Sequence, residues 1–96
     1  MSKLKMTPGS GNVFADLGFS PEEASLLQMR ADLMNELRQV IEARGWTQAT
    51  AARELGVSQS RISDLVRGKW LQFSLDMLVT LAVRAGRRVN VKLLAA

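Results

Sequence analysis

The 96-residue sequence has no cysteine, no histidine and no tyrosine. The missing cysteine excludes disulfides and thiolate metal sites. The missing histidine removes the commonest general base and the commonest metal ligand. Catalysis would fall to carboxylates, lysine, serine and threonine, and no constellation of them stands out. The chain is therefore read as a non-enzyme with no implied cofactor. Long apolar runs are also missing, since no stretch approaches the roughly 20 residues of a membrane span. Lys3 and Lys5 precede no continuous apolar segment, so a signal peptide is not expected and a cytoplasmic protein is the default. A chain of this length has room for one domain with one modest core.

What the sequence does have is an uneven charge. Residues 1–43 carry four Lys/Arg against six Asp/Glu, whereas residues 44–96 carry nine against three. A basic half of this kind is the electrostatic footprint expected of nucleic-acid binding. Arginines also keep small helical domains soluble, and charge alone does not separate the two readings.

Residues 1–19 read as a flexible N-terminal segment, polar and glycine-containing over residues 1–12. Val13, Phe14, Leu17 and Phe19 are too apolar for an idle linker. They predict either a short turn that packs its aromatics onto the first helix or an anchor for another protein. Ser20-Pro21-Glu22-Glu23 is a helix start, with a cap, a first-turn proline and a glutamate three residues after the cap. A long helix is predicted to about Arg44, one face of it marked by Leu26, Met29, Leu33, Leu37, Val40, Ile41 and Arg44 at spacings of three and four. Gly45 ends it, and Trp46 is expected to fill the gap to the next helix.

From Gln48 to Arg67 the sequence QATAARELGVSQSRISDLVR reads as two short amphipathic helices joined by a Gly-Val-Ser turn. Thr47 caps the first. Ala51, Ala52, Leu55, Val57, Ile62 and Leu65 are the buried positions, and Ala52 lets the two helices cross at close range. Gly56 can take the positive φ that ends the first helix. Ser58 caps the second, and Val57 and Ile62 are placed as a hydrophobic staple. After Gly68 and a loop over residues 69–73, Ser74 caps a further helix with Leu75, Leu78, Val79, Ala82 and Ala85 on one face. Val89-Asn90-Val91-Lys92-Leu93 then alternates apolar and polar residues as a strand does. It has no visible strand partner in the chain, so pairing with a second copy about a two-fold axis is expected, through Val89, Val91 and Leu93. A frayed tail or a further helix turn is the competing reading.

A helix-turn-helix presents the N-terminal part of its second helix to base edges, while its first helix touches the DNA backbone. Gln59 is the leading candidate for base readout, because its amide donates and accepts at once, as adenine requires. Ser60, Arg61, Ser63 and Asp64 are the other base-reading candidates; Asp64 would accept from cytosine or brace Arg61 or Arg67. Thr47, Gln48, Arg53, Ser58, Arg67 and Lys69 are the phosphate-binding candidates, Gln48 lying at a helix N-terminus. Arg84, Arg87 and Arg88 read equally well as a solvated surface and as DNA contacts.

TQATAARELGVSQSRISDLVRGK is similar to the helix-turn-helix of lambdoid phage repressors and the wider Xre regulators. The resemblance rests on the capped glutamine, Gly56 in the turn, Ser58-Gln59 and the Gly68-Lys69 ending. It implies that Gln48 contacts phosphate and supports Gln59, while Gln59, Ser60 and Asp64 face bases. A serine at position 60 departs from the longer amide often found there. NVFADLGFSPEEA, the RGK followed by FSLDMLVTLA, and the closing G-x-x-V-N-V resemble small HigA-type antitoxins, although related regulators with no toxin partner share these segments. The antitoxin resemblance implies a dimer that binds its own operator and neutralises a RelE-like toxin. The expected fold is all-α, a lambda-repressor-like five-helix domain over residues 20–86, with residues 87–96 as a dimerisation strand. The expected function is operator DNA binding as a homodimer. A protein-interaction module is the alternative.

Overall fold

The computed structural model describes residues 13–95, and five α-helices lie among them. They are α1 (Val13–Asp16), α2 (Pro21–Ala43), α3 (Gln48–Leu55), α4 (Gln59–Val66) and α5 (Leu75–Arg84), with a 3₁₀ turn at Trp70–Gln72 between the last two.

Hydroxyl caps set the starts of four of these helices. Ser20 forms a full capping box: its Oγ accepts from the Glu23 N–H, and its own N–H donates to Glu23 Oε1. Thr47, Ser58 and Ser74 accept from the N–H groups of Thr50, Arg61 and Met77, each at 3.1 Å. Each bond satisfies one of the backbone donors that a helix N-terminus leaves without an internal partner.

α2 is the spine, and it serves two cores. Its C-terminal half supplies Met34, Leu37, Val40 and Ile41 to the main core. That core is completed by Ala51, Ala52 and Leu55 of α3, Ile62 and Leu65 of α4, Phe73, and Leu78, Leu81 and Ala82 of α5. Its N-terminal half buries Ala24 and Leu27 against Phe14 in a satellite cluster, with Trp70 packed onto both clusters. Phe14 meets Trp70 edge-on with ring centroids 5.4 Å apart, and Phe19 likewise at 6.1 Å.

Two cores mean two buried stripes, so the apolar face expected of the long helix is only partly correct. Leu26 is exposed and Met29 half-buried, whereas Leu27 and Met34 are buried. The satellite cluster draws in Leu27 in place of Leu26. The described part of the N-terminal segment, residues 13–19, contributes the buried Phe14 to the fold, so the cluster crosses residue 20. Residues 1–12, the greater part of the segment read as flexible, lie outside the described residues.

The predicted C-terminal strand is not formed: the described residues contain no strand, and residues 87–95 have no regular secondary structure. A strand exists only when a second strand completes its ladder, and the described residues offer none. Val89 packs against the main core, while Val91, Leu93 and Leu94 are exposed.

Candidate nucleic-acid interface

α3 and α4 form the helix-turn-helix. Leu55 and Ile62 are fully buried, and Ala51 and Ala52 give α4 room to cross α3 closely. Gly56 ends α3 with φ 71°, in the left-handed region that a side chain disfavours. Val57 is half-buried ahead of the Ser58 cap, and Ile62 lies five residues on, as a staple requires. Removing Leu55, Ile62 or Leu65 from water contributes about 1.5–3 kcal/mol each. That burial holds α4 in place while its opposite face stays wet.

The outer face of α4 is set by helix geometry. At about 100° per residue, Gln59, Ser63, Arg67 and Ser60 fall within an arc of about 100°, opposite the buried Leu65, with Asp64 at the edge. Gln59, Ser60 and Arg67 are exposed and Ser63 half-buried. Gln48, first in α3, is exposed beside the Thr47 cap, whose Oγ1 also donates to Thr50 Oγ1 at 3.1 Å. Arg53 is exposed in the last turn of α3. These side chains give a surface of amides, hydroxyls and cations, the chemistry that meets base edges and phosphates.

Besides the caps Thr47 and Ser58, three candidates are engaged within the chain. Arg61 turns off the outer arc: its Nη1 donates to the Gln72 carbonyl at 2.9 Å, and its guanidinium carbon stands 5.2 Å from the Phe73 ring centroid. Asp64 and Lys69 face each other at 3.8 Å, and the Lys69 N–H donates to the Asp64 carbonyl. Asp64 thus braces a lysine, where the spacing suggests Arg61 or Arg67.

Arg84 has a role that sequence reasoning missed. From α5 its Nη1 donates at 3.0 Å to the carbonyl of Leu55, the last residue of α3. A Cβ placed on Gly56 would lie 3.2 Å from the same nitrogen. The guanidinium therefore covers the turn, satisfies a carbonyl at the negative end of α3 and ties α5 to the motif. No local pattern announces a bond between residues 29 positions apart. Arg44 is exposed, its guanidinium carbon 5.0 Å from the Trp46 ring centroid. No helix among the described residues is long and apolar enough to cross a membrane.

A pair of short helices with a left-handed glycine in the turn, a capped reading helix and a buried staple defines a helix-turn-helix protein. Residues 13–93 match a family model described as a helix-turn-helix domain. A solved structure bearing the name of an XRE-family transcriptional regulator is similar, with a TM-score of 0.72 and 30% sequence identity. The match covers 77% of this chain and 83% of that one. No curated protein matches the chain significantly. The chain belongs to the Xre-like helix-turn-helix family.

Proposed function

We propose that the chain is a sequence-specific transcriptional repressor that binds a palindromic operator as a dimer. The observation that carries this reading is the outer arc of the exposed Gln59, Ser60 and Arg67 and the half-buried Ser63, on a helix fixed from behind by Leu55, Ile62 and Leu65. Gln59 reads a base edge, with Ser60 and Ser63 as short-range partners. Thr47, Gln48, Arg53, Ser58, Arg67 and Lys69 hold the phosphates that set register. Arg61 and Asp64 support the reading helix from its flank.

The dimer rests on the C-terminal segment. Val89 fastens it to the core, while Val91 at 62% and Leu93 at 98% exposure leave apolar side chains in water. Antiparallel pairing with the same segment of a second copy would cover them and complete the ladder. Two reading helices would then meet successive major grooves, about 34–36 Å apart.

Gel shifts on the protein's own upstream region test the proposal. Binding should weaken steeply with salt, and Gln59→Ala should lose about 1–3 kcal/mol of preference at one base pair in each half-site. No salt-sensitive shift on that DNA would refute the repressor. A monomer in sedimentation at micromolar concentration would refute the dimer.

A second reading, an antitoxin that holds a RelE-like toxin inactive while repressing its own operon, is favoured by the acidic and apolar character of α1 and α2. Gln59→Ala should then weaken operator binding and leave neutralisation intact. Any truncation that probes the N-terminus must stop before Val13, because Phe14 is part of the fold.

A further inference from the structure

α4 ends in a turn closed by Gly68, whose φ of 73° lies in the left-handed region, and its neighbours Arg67 and Lys69 are both exposed cations. A third cation reaches the same turn from a different helix. A Cβ placed on Gly68 would stand 3.7 Å from Arg38 Nη1, so the Arg38 guanidinium lies beside the glycine that joins Arg67 to Lys69. Helix geometry explains the approach. At about 100° per residue, Arg38 falls about 40° from the buried Met34 and about 60° from the buried Ile41. Its side chain thus leaves α2 at the margin of the core-facing stripe, and the residue is exposed. By composition α2 is acidic, with five carboxylates against Arg30 and Arg38, and only the fold brings Arg38 to the end of α4.

The charge at this turn is largely uncompensated. Arg38 Nη1 donates to Asn35 Oδ1 at 3.5 Å, a long bond to a neutral amide. Glu42, one turn on along the same side of α2, stays outside ion-pair distance, and neither Arg38 nor Arg67 has a carboxylate partner among the described residues. Asp64, at 3.8 Å from Lys69, is the one carboxylate paired there. Like charges gathered round one turn repel, and an anion relieves that repulsion. Arg67 also stands at the end of the outer arc that Gln59 begins, so the turn borders the face proposed to meet DNA. A guanidinium fork matches phosphate oxygens, and phosphates flank any base that a reading helix contacts. We infer that Arg38 is a further phosphate-binding residue, which closes with Arg67 and Lys69 on a backbone phosphate at the trailing end of the reading helix. The inference rests on the DNA-binding reading above and carries that interface from α3 and α4 onto α2. A guanidinium in this place also meets the negative end of the α4 dipole, a role that needs no DNA.

Salt titrations separate the two roles. Fluorescence anisotropy with a labelled duplex of about 24 base pairs and arbitrary sequence, between about 50 and 200 mM salt, counts phosphate contacts without an operator. Arg38→Ala should lower the slope of log affinity against log salt by about 0.9 per bound chain, so a fourfold rise in salt costs the variant about 3.5-fold less affinity than it costs the unaltered protein. Arg38→Lys, which keeps the charge, should keep the slope. Both variants should melt within about 3 °C of the unaltered protein, as substitutions at an exposed site do. On DNA from the protein's own upstream region, Arg38→Ala should weaken all sequence variants by a similar factor. An unchanged slope with Arg38→Ala would overturn the inference, and DNA binding would still stand if Arg67→Ala lowers it. A lower melting temperature with an unchanged slope would likewise overturn it and confine Arg38 to the α4 dipole. A loss restricted to one base pair would replace the phosphate with a base. No salt-dependent binding to either DNA would refute the DNA-binding reading and the inference together.

Discussion

Replacing Arg84 with alanine removes the bond that joins α5 to the turn between α3 and α4. That bond is a charge-assisted hydrogen bond of 3.0 Å to the Leu55 carbonyl. Bonds to charged groups contribute about 1.5–3 kcal/mol, and the lower value applies here because the arginine is largely open to solvent. A loss of about 1.5 kcal/mol should lower the melting temperature by roughly 6–12 °C in a domain of this size. Gly56→Ala provides the second arm of a double-mutant cycle. Alanine at φ 71° costs about 1 kcal/mol, and its Cβ would stand 3.2 Å from Arg84 Nη1, pushing the guanidinium off the carbonyl. With Arg84 already removed that second cost vanishes, so the double variant should be less destabilised than the sum by about 0.5–1 kcal/mol. Urea unfolding of the four proteins measures this. Additivity within about 0.3 kcal/mol would refute the account. Operator binding supplies an independent check. If Arg84 bonds only within its own chain, its removal leaves the salt dependence of DNA affinity unchanged. If it also neutralises a phosphate, Arg84→Ala would reduce that slope by about 0.9.

Ser58→Ala should destabilise the domain by about 1 kcal/mol in urea unfolding, because the Arg61 N–H loses the Ser58 hydroxyl and keeps only the Ser58 carbonyl as acceptor. Phe14→Ala should cost about 3 kcal/mol and shift the fluorescence of Trp70, whose ring it meets edge-on; unchanged emission would mean that α1 is not docked in solution. Arg61→Ala should weaken all operator variants by a similar factor, since the side chain is tied to Gln72 and Phe73. A loss confined to one base pair would show instead that Arg61 reaches a base when DNA is bound.

The parts of this fold that were legible in the sequence are those decided within a few residues. A hydroxyl followed by a free backbone N–H, a glycine where φ must be positive, and an apolar residue on each side of a cap are local requirements. Ser20, Thr47, Ser58, Ser74 and Gly56 all play the parts their positions suggest. The face of α2 was not local in this sense. Leu26 and Leu27 are adjacent and equally apolar, and only the position of Phe14 decides between them. Leu81 was missed on α5 for the same reason: it is buried against helices that arrive from elsewhere in the chain. The strand expected at Val89–Leu93 needs a second strand, and the described residues supply none.

The arginines show how tertiary contacts redistribute a charge that composition reports as a whole. The basic half of the chain suggests a broad cationic surface. Yet Arg44 lies over Trp46, Arg61 is bound to the 3₁₀ turn, Arg84 covers Gly56, and Lys69 is paired with Asp64. Each of these cations has a partner within its own chain. Arg53 and Arg67 remain exposed, without a side-chain partner among the described residues, on the two helices of the motif itself. The same residue type therefore stands in two settings, and the distinction follows from which carbonyls and rings lie within reach. The guanidinium groups of Arg61 and Arg84 are bound to the carbonyls of Gln72 and Leu55. A guanidinium left in solvent on α3 or at the end of α4 is free to displace the counterions of a phosphate.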